Sequence, residues 1–492
     1  MSEGKGASLA RANELLLAGA RSEAGDMFAR LLAAHPDDGE VLHGLGVLAW
    51  QGGDLQSARD YLRQAAVRAS NPAAALSLLG DVERQRGDLA AALQCLESAL
   101  KSDPRSASAH CNLGMLRLAQ EQYLQAASAF LGAIGIQPEK ALFHYNLGIA
   151  LKELNRLAEA IECYRTAIAL QPDFVEAHVN LALALLLDGQ LEAGFAEYEW
   201  RRRPPFMPLP LHDQPQWTGT TEAGGSLLLR AEQGLGDAIQ MVRYVPQIAA
   251  GGMKVIVECR PELEALFQTV AGVSATCRPG EPAPAHSAEL SLASLPSVMG
   301  TRLGDIPAAT PYLHAQADQV ATWRQRLLGE GETIKVGLRW AGNPNNSEDR
   351  RRSCPLALFS GLAGIEALTL IGLNNEPMAD SDQALARGLG LVDYSTHLTS
   401  FAATAALLVN LDLVIAVDTA VLHLAGALGV PSWALLRFSP HWPWLLQRSD
   451  SPWYPGMRLF RQPRPGDWQS VATEVVTLLS GAIASARSGD AP

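Results

Sequence analysis

Three nearly identical hexads, "AHCNLG" at 109–114, "FHYNLG" at 143–148 and "AHVNLA" at 177–182, follow one another at intervals of 34 residues. A fixed period of this length restricts the fold of a chain more than its composition does. Counting in steps of 34 from Gly46 reaches Gly80, Gly114, Gly148 and Ala182, preceded by Leu45, Leu79, Leu113, Leu147 and Leu181. Twelve residues after the glycine position stand Ala58, Ala92, Ala126 and Ala160, and four further on Leu62, Leu96, Phe130, Tyr164 and Tyr198. Pro36, Pro104, Pro138 and Pro172 close most of the units. Small residues let antiparallel helices approach, large ones fill the groove between them, and proline ends the second helix because it lacks an amide donor. Extended back through Ala24 and Phe28, the period predicts an α-solenoid of about six helix pairs over residues 1–203.

This pattern resembles the tetratricopeptide repeat. Asn112, Asn146 and Asn180 share one position on the first helix of their repeats, the helix expected to face a concave groove. A carboxamide offers donor and acceptor, so the ladder can grip the backbone of an extended acceptor protein; it can equally bond neighbouring helices, and both readings stand. Gly44 and Leu78 occupy the position in earlier repeats, which confines the ladder to those nearest the second half. His110, His144 and His178 lie on helices about 10 Å apart, too far to share a metal ion.

The helical period ends at "RRRPPFMPLPLHDQPQWTG", 201–219, where clustered prolines cannot continue a solenoid. Residues 204–219 form a connection in which Trp200, Phe206 and Trp217 offer apolar surface to bury. Beyond it "SLLLR", "MKVIVE", "TIKVGLRW", "ALTLIGL", "LDLVIAV" and "PSWALL" read as strands alternating with helical stretches. That alternation predicts α/β architecture, with two Rossmann-like doubly wound domains at 220–331 and 332–492 and ligands bound in the cleft between them. Hydrophobic content of 48% and charged content of 18% fit a globular chain, and a formal charge of −12 disfavours nucleic acid as a partner. No apolar run reaches 18 residues, so no integral membrane segment is expected. Six cysteines without a C-x-x-C pair suit free thiols in a cytoplasmic protein. No oligomeric state is legible.

Three turns in this half carry chemistry. In "EQGLGDAI", 232–239, Gly234 and Gly236 let a strand turn into a helix that begins at Asp237, either as a cap or as a reactive group. In "RWAGNPNNSEDRRRSCP", 339–355, a strand runs into a loop with Asn343, Asn345, Asn346 and Ser347, then Arg350, Arg351 and Arg352. Such arginines are a solvated face or, at a strand's carboxyl end, phosphate ligands. In "AVDTAVLHLAGALGVP", 416–431, Asp418 and Thr419 open a small-residue helix whose free amides can hold a diphosphate. His423 lies on the same face as Thr419, as a ligand or a core histidine. Asp380 and Asp382 in "MADSDQ" lie in a polar loop after a strand, and no metal role is expected of them.

At "GLGDAIQMVRYVP", "VGLRWAGNP" with "DRRRSCPL", "AVDTAVLHLAGALGVP" and "SPWYPGMRLFRQPRPGDW", the second half resembles glycosyltransferase family 9, the lipopolysaccharide heptosyltransferases, and its branch fused to tetratricopeptide repeats. The resemblance implies a GT-B enzyme that moves a sugar from a nucleotide-sugar with inversion, without cofactor or bound metal. It implies Asp237 as general base, and Arg352 with Arg350 on donor phosphate. It implies Asp418, Thr419 and His423 at the diphosphate, with Asn343 beside them. His441 in "FSPHWPWLL" stands where the branch has an acid, which bears on the group read there. The layout also resembles protein O-GlcNAc transferases, whose repeats bear an asparagine ladder. The expected function is sugar transfer to Ser or Thr of a protein recruited by the groove, flagellin being one such client. A polysaccharide acceptor and a non-catalytic scaffold are the competing expectations.

Overall fold

The computed structural model describes residues 2–206, 214–220, 224–329, 333–343, 349–374 and 378–488. Asn345, Asn346 and Ser347 lie outside the described residues. The chain forms two compact units, Met1–Leu181 and Ala182–Pro492.

The first 200 residues are helical: α1 (Ser2–Leu17) and α2 (Arg21–Ala34), α3 (Gly39–Gln51) and α4 (Leu55–Arg68), α5 (Ala73–Gln85) and α6 (Leu89–Ser102), α7 (Ala107–Ala119) and α8 (Tyr123–Ile136), α9 (Ala141–Glu153) and α10 (Leu157–Leu170), α11 (Val175–Leu187) and α12 (Leu191–Tyr198). The division between the units falls inside α11. Pairing follows the period. A Cβ on Gly46 would stand 2.6 Å from Leu62, one on Gly80 2.6 Å from Leu96, one on Gly114 2.4 Å from Phe130 and one on Gly148 2.5 Å from Tyr164. The glycines are therefore the sockets for the large residues of the following helix. Asp38, Asp54, Asp88 and Ser106 cap helix starts by accepting from backbone amides.

The ladder serves the array itself. Asn112 Nδ2 donates to Ser77 O at 3.0 Å, Asn146 Nδ2 to Cys111 Sγ at 3.5 Å, and Asn180 Nδ2 to Tyr145 OH at 3.2 Å. Each partner lies on the first helix of the preceding repeat, 35 residues back. Asn146 is buried and cannot line an open groove. The Nδ2 atoms of these amides thus tie one repeat to the next, the second of the two readings open to them, because a polar group at that contact must be bonded. The histidines complete the hexad's logic. The Nε2 atoms of His110, His144 and His178 bond the carbonyls of Pro104, Pro138 and Pro172, six residues earlier, holding each inter-repeat turn against the helix that follows.

The second unit contains two all-parallel sheets. In the first, β1 (Ser226–Arg230), β2 (Lys254–Glu258), β3 (Val273–Cys277) and β4 (Ala288–Ser291) stand in the order β3-β2-β1-β4. In the second, β5 (Ile334–Arg339), β6 (Leu368–Gly372), β7 (Val392–Asp393), β8 (Leu413–Val417), β9 (Ser432–Leu436) and β10 (Met457–Arg461) stand in the order β10-β9-β8-β5-β6-β7. Both are Rossmann-like orders, consistent with the two-lobed GT-B plan, and each changes direction between its first and fourth strands. Central strands are buried in runs, as parallel strands covered on both faces must be.

Three details depart from expectation. The helix Ala317–Leu328, assigned by sequence to the first lobe, belongs to the second: Trp323 meets Tyr394 edge-on at 5.2 Å, and Asn410 donates to Val320 O at 3.1 Å. Phe206 is exposed, whereas Trp217 is buried and its backbone amide donates to the carbonyl of Glu289 in β4. Asp380 and Asp382 lie in the first turn of a helix, Asp380–Leu389, not in a loop, and Asp382 accepts from Trp340 Nε1 at 3.0 Å. Asn112→Ala is expected to lower the unfolding free energy of the array by about 1 kcal/mol, measured by urea denaturation followed by helical circular dichroism.

Candidate active site

The site grows from the carboxyl ends of β1 and β8, the inner strands of the two sheets. After β1 the chain passes Glu232 and Gly234 into the helix Leu235–Met241, with Asp237 in its first turn. After β8, Asp418 and Thr419 precede the helix Ala420–Ala427. The two helices meet. A Cβ on Gly236 would stand 3.0 Å from His423 Cδ2 and 3.6 Å from Ala420 Cα, so only glycine lets the first lobe approach so closely. The first and third turns, far apart in sequence, thus form one cluster.

Asp237 is half-buried, and its proton affinity is raised above the usual carboxylate range. Burial is the main cause; Asp418 and Glu232 add to it, while His441 and the Gly234 amide oppose it. Gly234 is exposed, with its Cβ position 3.0 Å from Asp237 Oδ2. His423 is buried, with Nδ1 2.9 Å from Tyr454 OH, Nε2 3.8 Å from Asp418 Oδ1 and its ring 5.1 Å from that of Trp444. Burial pushes its proton affinity down to about 4, against the pull of Asp418. The imidazole is therefore neutral at pH 7. Thr419 is extended at the helix start, and its buried Oγ1 has no hydrogen-bond partner among the described residues. A hydroxyl without a partner beside the free amides of a helix N-terminus suits an anionic oxygen.

The second turn leaves β5, which pairs directly with β8, from the same end of the sheet. Asn343 and Arg350 are exposed. Arg352 Nε donates to Asp349 at 3.2 Å, and Asp349 also accepts from Ser353 Oγ at 3.0 Å, so this guanidinium is held in place. The structure brings Gly236, Asp237, Asp418, Thr419, His423 and His441 together. It leaves Arg350 and Arg352 in a short helix after β5, Asp349–Arg352, with no hydrogen bond or ion pair to that cluster among the described residues.

Sequence reasoning missed what stands behind the site. Arg243 is buried in a box of Tyr312, Trp453 and Tyr454, its guanidinium 4.8, 5.3 and 4.7 Å from their ring centres. It donates to Trp453 O at 2.6 Å, Gln240 O at 2.8 Å and Tyr312 OH at 2.9 Å. Its signal was a lone cation in the apolar helical stretch "AIQMVRYVPQI". Leu445, next to Trp444, has φ 52 and ψ −171, a strained conformation of the kind that collects at functional sites.

Glycosyltransferase family 9 (heptosyltransferase) matches residues 393–450, which contain Asp418, Thr419, His423 and His441. Tetratricopeptide models match residues 9–75 and, as TPR repeat, residues 80–120 and 150–189. The chain carries tetratricopeptide repeats and, after them, a segment similar to glycosyltransferase family 9. Asp237 and the 339–355 turn lie outside the matched segment. Protein FlbA of Caulobacter vibrioides is 27% identical over 335 residues, 61% of this chain and 54% of that protein. The chain thus spans about half the length of the curated relative it matches.

Among solved structures, the APC/C hetero-tetramer Cut9-Hcn1 is similar at TM-score 0.37 and 21% identity over 39% of each chain. The Pseudomonas aeruginosa protein pilF scores 0.37 at 16% identity over 41% of this chain and 92% of its own. TTC0263, a thermophilic TPR protein of Thermus thermophilus, scores 0.34 at 23% identity over 37% of this chain and 99% of its own. The fold described above stands without these likenesses.

Between pH 6.5 and about 4 the unfolded chain protonates His423 while the folded chain does not, so stability is lost as pH falls through that window. His423→Gln is expected to lose less stability than the native chain on going from pH 7 to 4, by up to about 3 kcal/mol, read from paired urea denaturation curves.

Proposed function

We propose that the chain is a GT-B glycosyltransferase that passes a sugar, with inversion and without metal or cofactor, from a nucleotide-sugar to a Ser or Thr hydroxyl of a protein, in the cytoplasm. The observation that carries the reading is the pairing of a carboxylate of raised proton affinity, Asp237, with an anion-receptive helix start at Thr419. A base must hold a proton once it has taken it, and burial among like charges gives Asp237 that property. Its carboxylate takes the acceptor hydroxyl's proton as that oxygen attacks the anomeric carbon. The sugar's bond to the diphosphate breaks on the opposite face, and the electron pair leaves on phosphate oxygen.

The departing charge falls to Thr419 and the amides behind it, with neutral His423 able to donate one N–H. Arg350, Arg352 and Asn343 are assigned to the donor's phosphates. Gly234 and Gly236 are assigned to the acceptor side of the turn: the exposed Gly234 leaves room for a hydroxyl beside Asp237, while the place of a side chain on Gly236 is taken by His423. His441, close enough to Asp237 and His423 to act on both electrostatically, is placed at the sugar or acceptor. The repeats serve to recruit the protein acceptor, through side chains other than the amide groups of Asn112, Asn146 and Asn180.

Intact mass spectrometry of surface proteins, flagellin foremost, tests this in cells carrying the native chain or Asp237→Ala. Sugar-sized mass is expected to disappear from at least one protein in the variant, because transfer falls about 100- to 10,000-fold without the base. Unchanged protein masses with altered surface polysaccharide would overturn the protein acceptor in favour of a saccharide one. Unchanged masses and polysaccharide would leave only a scaffold.

A further inference from the structure

The crevice at the first sheet's change of direction, between β1 and β4, is where a doubly wound sheet ordinarily receives a ligand. Here a residue of the repeat region reaches it. The last repeat helix, α12, continues into a short turn, Glu199–Arg202, and from it Arg201 enters the first lobe with only 3% of its surface exposed. Its Nη2 donates to Ser291 Oγ at 2.7 Å, at the end of β4, and to Ser294 Oγ at 2.8 Å. The same nitrogen lies 3.2 Å from Glu232 Oε1, just past the end of β1. Its Nη1 donates to Glu199 at 2.8 Å, and Ser291 Oγ donates to Glu232. Arg202 approaches Glu199 at 3.5 Å, so two guanidinium groups balance two carboxylates.

Glu232 opens the turn that ends at Asp237, and its charge acts on that carboxyl. Four elements face Asp237 with ionisable groups: Glu232 from its own turn, Asp418 from the end of β8, His441 from the segment after β9, and Tyr198 from α12 itself. Arg201 lies over the Tyr198 ring, 4.6 Å from its centre. The repeat helix therefore supplies both a wall of this neighbourhood and the cation that neutralises its nearest buried acid.

We infer that Arg201 is a positioning residue for the base: by clamping Glu232 it fixes the Gly-Leu-Gly-Asp turn and sets how strongly Asp237 holds a proton, making the last repeat a working part of the catalytic unit. This rests on the assignment of Asp237 as base. Removing Arg201's charge leaves Glu232 as a bare anion beside Asp237 and strengthens the base; removing Glu232's charge weakens it.

The test is a carbon-13 carboxyl NMR titration of Asp237 in the full-length chain, with the resonance assigned by its loss in Asp237→Asn. Arg201→Gln is expected to raise the midpoint and Glu232→Gln to lower it, each by about half a pH unit. The double variant should match Glu232→Gln, and Arg201→Lys should stay near the native value. A structural role alone moves both single variants in the same direction, because both break one cluster. Midpoints that do not move, or that move together, overturn the proposal. If Arg201→Gln does not fold, the nearly isosteric Glu232→Gln decides by its downward shift or its absence. Sugar transfer retained by Asp237→Asn overturns the base assignment and the inference with it, whereas lost transfer with unmoved titrations overturns the inference alone.

Discussion

The guanidinium of Arg243 is buried with no carboxylate against it among the described residues, and the two lobes are assembled around it. A cation removed from water must find its solvation in the protein. Arg243 finds it in the carbonyls of Gln240, Pro307 and Trp453, the hydroxyl of Tyr312 and three aromatic faces. These groups come from the helix of Asp237, from the connection between the lobes and from the segment before β10. Separating the lobes would strip the charge of partners on one side, so the arrangement is held by a penalty for opening as much as by attraction. It also fixes how closely Gly236 approaches His423.

That close approach explains why one physical effect gives two opposite chemistries. Desolvation disfavours the charged form of any group, so it raises the proton affinity of Asp237 and lowers that of His423. Each shift suits the role assigned to its group: the carboxylate becomes a stronger base, and the imidazole stays neutral beside a site for anions. Arg243 adds to the second shift by repelling a protonated His423. Buried polar atoms without a hydrogen-bond partner among the described residues lie on the same two turns, Thr419 Oγ1 on one and Glu232 Oε2 on the other. A fold retains such atoms at a cost, and at these two positions an incoming polar ligand would relieve it.

The solenoid was legible in the sequence because each glycine socket and its large residue lie 16 positions apart within one repeat. Local spacing is what a single sequence records well. Six strands after residue 225 are legible as apolar runs, whereas β3, β4 and β7, short or only partly buried, and the late β10 are not. The three turns were legible as glycine and polar breaks at strand ends. That the first and third would touch, and that Arg352 would be tied to Asp349, depends on tertiary placement that no spacing encodes. The asparagine ladder shows the limit most directly. Repetition identified the position, but the direction of the amide, toward the previous repeat or toward a guest, is decided by whether a carbonyl lies within reach.

The last period illustrates the same limit within one residue type. Tyr164 and Tyr198 occupy equivalent positions 34 residues apart. The ring of Tyr164 fills the socket at Gly148 and is wholly inside its repeat. Tyr198 instead stands where Asp237 acts on its hydroxyl, under the guanidinium of Arg201. Phe195, on the same helix, meets Trp442 edge-on at 5.4 Å, one residue from His441. By period, α12 closes a solenoid; by contact, it belongs with the α/β lobes of the second unit. A boundary drawn where the repeat pattern stops, near residue 203, would therefore cut away Phe195, Tyr198 and Arg201 from the groups they hold. Repeat array and α/β lobes share this helix, and its identity is settled by what it packs against, not by the period that generated it.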